Sequence, residues 1–269
     1  MGGTGKTPLV IYLTALLIEN GYRPGIISRG YKGKSEEWPQ LVEELSDPYL
    51  VGDEPVLLAK RCRCAVAVGP DRVETANFLI STKKCNIIVS DDGLQHYRLA
   101  RDVEIAVIDG QRRFGNGFCL PAGPLREPVS RLKRVNFAVV NNDSQTNCLA
   151  MHLAFGRVVN LLIAGQSKEL HEFTSNKIHA VAGIGNPDRF FEQLIKAGLS
   201  IIKHPFVDHH DFIAQELEFN DGLPVIMTEK DAVKCQKFAK ANFWFVSVEA
   251  IVDSRFKEQL LEKIRTFNG

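Results

Sequence analysis

Hydrophobic positions along this chain follow two rhythms. Leu9, Val10, Leu13, Leu16 and Leu17 recur at a helical period, and Asn20-Gly21 follow as a C-terminal stop, so residues 7–19 predict a helix. Short runs rich in Ile, Val and Ala at 25–28, 65–68, 86–90, 103–109 and 136–141 predict strands, while 54–61, 71–82 and 127–134 between them carry helical spacing. Such alternation requires βαβ crossovers and a parallel sheet, and strands apolar on both faces require cover on both sides.

The rhythm breaks at the polar stretch 141–147. Segments 151–154 and 157–163 predict a two-stranded connector. A second α/β series begins near Ile178, with strands at 178–182, 224–227 and 243–248 and helices at 188–196 and from Asp253 onward. The expected architecture is α/β, with a first domain over 1–145, a linker over 146–172 and a smaller α/β domain over 173–269. No internal repeat or low-complexity segment interrupts it.

Composition narrows the field. The 269 residues are 45% hydrophobic and 24% charged, enough to bury a core, and the net charge of +1 argues against a general polyanion-binding surface, so no nucleic-acid partner is expected. Of six cysteines only Cys62 and Cys64 lie close together and no CxxC occurs, which fits buried thiols better than a disulfide frame or zinc site. The longest apolar run, Leu9 to Ile18, is broken by Tyr12 and Thr14 and falls short of a bilayer span. No stretch reads as a secretory leader, and the expectation is a soluble or peripheral protein.

Chemistry enters at the first residues, MGGTGKTP. Gly2, Gly3, Thr4 and Gly5 can turn backbone amides around phosphate oxygens, Lys6 adds a mobile cation and Thr7 a hydroxyl for Mg²⁺; the helix that follows aims its positive end at the anion. The first domain is therefore expected to be P-loop NTPase-like. The second signal, NIIVSDDGLQHY, ends an apolar strand on Asp91 and Asp92, where P-loop enzymes place a carboxylate at the metal shell, with Gln95 and His96 within reach of phosphate. In VGDEPVLLAK, Asp53 is either a helix cap ahead of Pro55 or a base for an attacking hydroxyl. A long Gly/Pro-rich segment, FGNGFCLPAGPLREP, ends on Arg126 and Glu127, which suit phosphate and metal, although Glu127 equally suits the start of the next helix. Arg112, Arg113, Arg131, Lys133 and Arg134 make these surroundings basic. Further on, FVDHHDF sets Asp208 beside His209 and His210, and Thr228 opens TEKD, a relative of base-reading nucleotide motifs or a plain helix cap.

Taken in order, GGTGKTP, SRGYKGK, GDEP, DDGLQHY, LPAGPLREP, DHH and TEKDAVK resemble the tetraacyldisaccharide 4'-kinases, lipid A pathway enzymes of Gram-negative bacteria. The resemblance runs from residue 1 to about 234. It implies transfer of the γ-phosphate of ATP, with Mg²⁺, to the 4'-hydroxyl of a tetraacylated glucosamine disaccharide 1-phosphate by two α/β domains that close on the site. It further implies that Lys6 and Thr7 hold nucleotide and metal, that Asp53 is the base and His209 its partner with His210 as fallback, and that Asp91, Asp92, Gln95, His96, Arg126 and Glu127 line the cleft. Ser28, Arg29 and Tyr31 would meet the disaccharide and Thr228 the nucleotide. A monomer at the cytoplasmic face of the inner membrane is implied as well. Family members carry an anchor helix and a strand ahead of the glycine loop, so a shortened, weakly active form is expected. Two other classes share parts of the pattern: regulatory ATPases of the ParA/MinD type, which place a lysine ahead of the glycines, and GTP-binding switch modules that read guanine through TEKD.

Overall fold

A computed structural model describes residues 4–142 and 148–267. Its first half runs α1 (Lys6–Glu19), β1 (Pro24–Ser28), β2 (Gln40–Val42), α2 (Pro48–Val51), α3 (Asp53–Arg61), β3 (Ala65–Val68), α4 (Arg72–Lys83), β4 (Ile87–Ser90), β5 (Ile105–Asp109) and β6 (Phe137–Asn141). The second half continues with β7 (Leu149–Asn160), β8 (Ser167–Lys168), β9 (Lys177–Ala182), α5 (Pro187–Lys196), β10 (Ser200–Pro205), β11 (Val225–Thr228), α6 (Glu229–Cys235), β12 (Phe243–Val252) and α7 (Ser254–Arg265).

Two sheets result. The first has order β2-β3-β1-β4, with β1 parallel to both β3 and β4 and β2 antiparallel at the edge. The second runs β10-β9-β11-β12-β7-β6-β5, with β8 attached to β7, and is parallel except for the β12–β7 and β7–β8 pairings. The hydrogen-bonded sheets divide between β4 and β5, because β6 pairs with β7. The connector also differs from expectation. Residues 149–160 form one twelve-residue strand whose main partner is β12. Gly156 reads as a break in the sequence, yet it lies opposite an irregularity between Val246 and Val248, and a Cβ there would stand 2.5 Å from the Ser247 hydroxyl. The helix expected over 127–134 is a 3₁₀ turn, Val129–Arg134.

What positions the site is α1. Its Leu9, Leu13, Leu16 and Leu17 pack with Phe137, Val139 and Met151 of the second sheet and with Phe256, Leu260 and Ile264 on α7. Burial of each such side chain contributes about 1.5–3 kcal/mol, so the phosphate-loop helix is pinned to the second sheet. Its other flank, through Val10, joins the core of Ile26, Val56, Leu58 and Val66 around the first sheet. Between the free edges of β4 and β5 lies an apolar slot of about 1660 Å³, walled by Ile87–Ser90 and Ile105–Asp109 and closed by α1, α4 and α7. Among the described residues no helix is long and apolar enough to cross a membrane.

Candidate active site

The charged groups converge instead on a smaller cleft of about 600 Å³ between the two sheets, within the usual range for a small-molecule site. Gly2 and Gly3 lie outside the described residues. Gly5 caps α1 in the left-handed region at φ +93°, and a Cβ on it would come within 2.9 Å of both Asn141 Nδ2 and Met151 Cε, so only glycine fits. Asn141 Nδ2 donates to the Thr4 carbonyl at 3.0 Å and fixes the turn. The helix starts at Lys6 with no acidic residue in its first turn and no side-chain cap, leaving its positive end open to an anion beside Lys6 and Thr7.

Strand β4 delivers Asp91 and Asp92 to the same place. Asp91 is 3% exposed; burial, reinforced by the nearby Glu54 charge, pushes its pKa up to about 7 against the pull of Lys6. Its Oδ1 is buried without a hydrogen-bond partner. Asp92 turns outward at φ +51°, with Lys6 Nζ at 3.6 Å and Arg126 Nη1 at 3.1 Å. Burial raises the pKa of Asp92, but these two cations outweigh it and the net shift is downward. Arg126 also donates to Gln95 at 3.2 Å, and Gln95 donates to Glu127 at 3.2 Å. His96 lines the cleft, its pKa lowered by burial and by Arg72 and Arg29. Glu127 accepts from Tyr97 at 2.7 Å as well, so both its oxygens are engaged. Among the described residues no three His, Cys, Asp or Glu side chains converge as a metal-holding group, and Glu127 shares no preformed cage with Asp91. Thr7 and the unpartnered Asp91 oxygen fit a hard cation that completes its shell from water and phosphate.

Asp53 sits in the first turn of α3 behind Gly52, whose φ of +93° makes that glycine the cap. The carboxylate is 6% exposed and meets His209 Nδ1 at 2.9 and 3.1 Å across the cleft wall, a contact over 156 positions of sequence. Burial raises its pKa, but the His209 hydrogen bond and the Lys230 and Lys234 charges outweigh burial and hold it below the ordinary value. His210 points elsewhere, to Glu216 at 3.0 Å, so of the two histidines it is His209 that contacts Asp53. Ser28, Arg29 and Tyr31 line the cleft, and the Tyr31 ring stands edge-on to His209 with centroids 5.4 Å apart. The Thr228 hydroxyl is taken by the fold: it caps α6 by accepting from Asp231 N at 3.2 Å and donates to Asp231 Oδ2 at 2.6 Å.

Several groups escaped sequence reasoning. Arg72 is 2% exposed, donates to the Asp91 carbonyl at 3.2 Å and leaves Nε and Nη1 without partners at the cleft; burial lowers its pKa to about 10. Its position just after β3, at the strand's C-terminal edge, was the available signal. Lys234 on α6, with Lys230 of the TEKD segment beside it, and a wall of Phe155 on β7, Ile184 and, on α5, Arg189 and Phe190, come together only once the two halves meet.

Comparison with known proteins places these features. The family model described as tetraacyldisaccharide-1-P 4'-kinase matches residues 1–265. The chain is 51% identical over 265 residues to tetraacyldisaccharide 4'-kinase of Nitrosococcus oceani, covering 98% of this chain and 78% of that protein. It is 50% identical over 260 residues to the same enzyme of Alkalilimnicola ehrlichii, covering 97% and 78%. A crystal structure of LpxK from Aquifex aeolicus in complex with ATP superposes with a TM-score of 0.81 at 25% identity, covering 98% of this chain and 85% of that one. The chain belongs to the tetraacyldisaccharide 4'-kinase family.

Proposed function

We propose that this chain is the kinase that passes the γ-phosphate of ATP to the 4'-hydroxyl of a tetraacyl glucosamine disaccharide 1-phosphate, a step of lipid A synthesis. The observation that carries the reading is one cleft lined by the phosphate-loop helix, the Asp91–Asp92 edge and His209, with Asp53 hydrogen-bonded to His209 at its wall. The regulatory ATPase and GTP-switch readings account for none of the last pair.

Roles follow from charge and position. Amides of Thr4 to Lys6, with the Lys6 and Arg126 side chains, neutralise the phosphates, with Gln95 and His96 beside them; Asp92 orients both cations. Thr7 and Asp91, with Glu127 nearby, would hold Mg²⁺, which would supply positive charge against that developing on the phosphates. Asp53 accepts the proton of the sugar hydroxyl while His209 donates through Nδ1 to keep its carboxylate aimed. Ser28, Arg29 and Tyr31 meet the disaccharide, and Thr228 lends backbone rather than hydroxyl to the nucleotide wall. We further propose that the bodies closing on substrate are 1–145 and 173–269, with 146–172 between them. The protein works as a monomer at the cytoplasmic face of the inner membrane, where its acylated acceptor resides.

The test is transfer of labelled γ-phosphate from ATP to the acylated disaccharide. In Asp53→Asn the rate should fall by about 10²- to 10⁴-fold while ATP affinity stays within twofold or so. Full activity in that variant would return Asp53 to a structural role.

A further inference from the structure

Lys230 has no part in the roles above, yet it is the group that closes the Asp53–His209 pair from behind. Its Nζ lies 3.1 Å from His209 Nε2 and 3.1 Å from Glu54 Oε1, with Asp208 Oδ1 at 3.7 Å. Its side chain is 16% exposed. An ammonium carries three donors and no acceptor. A ring nitrogen at hydrogen-bonding distance from it must therefore present its lone pair. The other ring nitrogen then bears the proton, and it is the one that faces Asp53 at 2.9 Å.

We propose that Lys230 is a positioning residue that fixes His209 as the neutral Nδ1–H tautomer, so that the imidazole always donates to Asp53 and never competes with it for a proton. The inference rests on the reading of Asp53 as the base. Three acids surround the ammonium and keep it charged: burial works against the charge, but Asp53, Glu54 and Asp208 together raise its pKa. A second proton on His209 would set an imidazolium 3.1 Å from that ammonium. The groups on the ring are Asp53 from α3, Lys230 from α6, Asp208 on its own loop and Tyr31 from the loop after β1, with Glu54 against Lys230 and Lys234 against Asp53 around them. Among the described residues only Lys230 touches Nε2 as a cation. Without it, Asp208 Oδ1 at 3.8 Å becomes the nearest charge to Nε2 and favours protonation there. Asp53 would then be locked in an ion pair with an imidazolium and lose basicity.

The experiment reads the tautomer directly. Nitrogen-15 spectra of histidine-labelled full chain, with the His209 signals assigned by their loss in His209→Gln, should show Nδ1 protonated and Nε2 bare at pH 7. Lys230→Arg keeps a donor-only cation and should preserve both the spectrum and the pH profile. Lys230→Met should move the proton to Nε2 or produce the doubly protonated ring. Its kcat/KM relative to the unaltered chain should fall about tenfold between pH 7.5 and 5.5, because no cation then stands against a proton at Nε2. A wild-type spectrum with Nε2 protonated at pH 7 overturns the proposal even if Lys230→Met fails to fold. So does a Lys230→Met variant with unchanged tautomer and profile. Failure of the base reading looks different: Asp53→Asn would then keep its rate while the tautomer result stands.

Discussion

A carboxyl group shut away from water resists ionising, and Asp91 has chiefly Lys6 and Arg72 to oppose that penalty. Unfolded, it loses its proton near pH 4; folded, it holds it to about pH 7. Across that window the folded chain binds a proton that the unfolded chain has released, so stability from this group is greatest in acid and declines as pH rises toward 7. The full difference is on the order of 4 kcal/mol. The melting temperature of the chain without nucleotide or metal should therefore drop between pH 5 and 8, and Asp91→Asn should flatten the drop. Mg²⁺ with ATP should cancel it too, by stabilising the ionised form. Parallel slopes for the two chains would contradict the burial argument. Asp91 was legible in the sequence because an apolar strand ending in acid states its own chemistry. Arg72 was not, because its meaning comes from the Asp91 carbonyl it touches across 19 positions, and a charged residue after a helix cap otherwise reads as solvated.

Elements were legible wherever the period was local. The helices at α1, α3, α4, α5 and α7 and the strands β1, β3, β4, β6, β9 and β11 lie within a residue or two of expectation, since each carries its own apolar spacing and stop. The edge strands β2 and β10 were missed: β10 has only exposed and half-buried positions and includes Lys203 and His204, so it lacks the unbroken apolar run of a central strand. β7 was split in two because Gly156 looks like punctuation, whereas it answers Ser247 on another strand. Gly156→Val should accordingly lower stability by roughly 1–3 kcal/mol through overpacking, seen as a reduced melting temperature with ATP affinity little changed once folded. Helix α6 supplies a second case at this scale. Thr228→Ala removes its cap and one partner of the fully buried Asp231, which should cost about 1–2 kcal/mol. ATP affinity in that variant should hold; a large loss of affinity with unchanged stability would restore the hydroxyl to the nucleotide.

The whole molecule is two sheets that share helices but not hydrogen bonds. Among the described residues β4 pairs only with β1 and β5 only with β6, so each presents an unpaired edge to the slot between them. A lined apolar space of about 1660 Å³ exceeds what a small ligand needs, and two facing edges of backbone donors and acceptors ask for a polypeptide rather than a lipid tail. Both edges lead toward the carboxylates, Asp91 after β4 and Asp109 closing β5. One extended apolar segment of roughly five residues, parallel to both, would join the sheets into one. The relatives are longer than the stretch they share with this chain, which covers 78% of the Nitrosococcus oceani enzyme. An extended Val/Ile-rich peptide added in trans should raise the melting temperature by about 5 °C or more and protect the amides of Ile87–Val89 and Ile105–Val107 from hydrogen exchange. A polar segment of equal length that does as much would show that the slot has no preference for a strand, and that the two sheets are already complete.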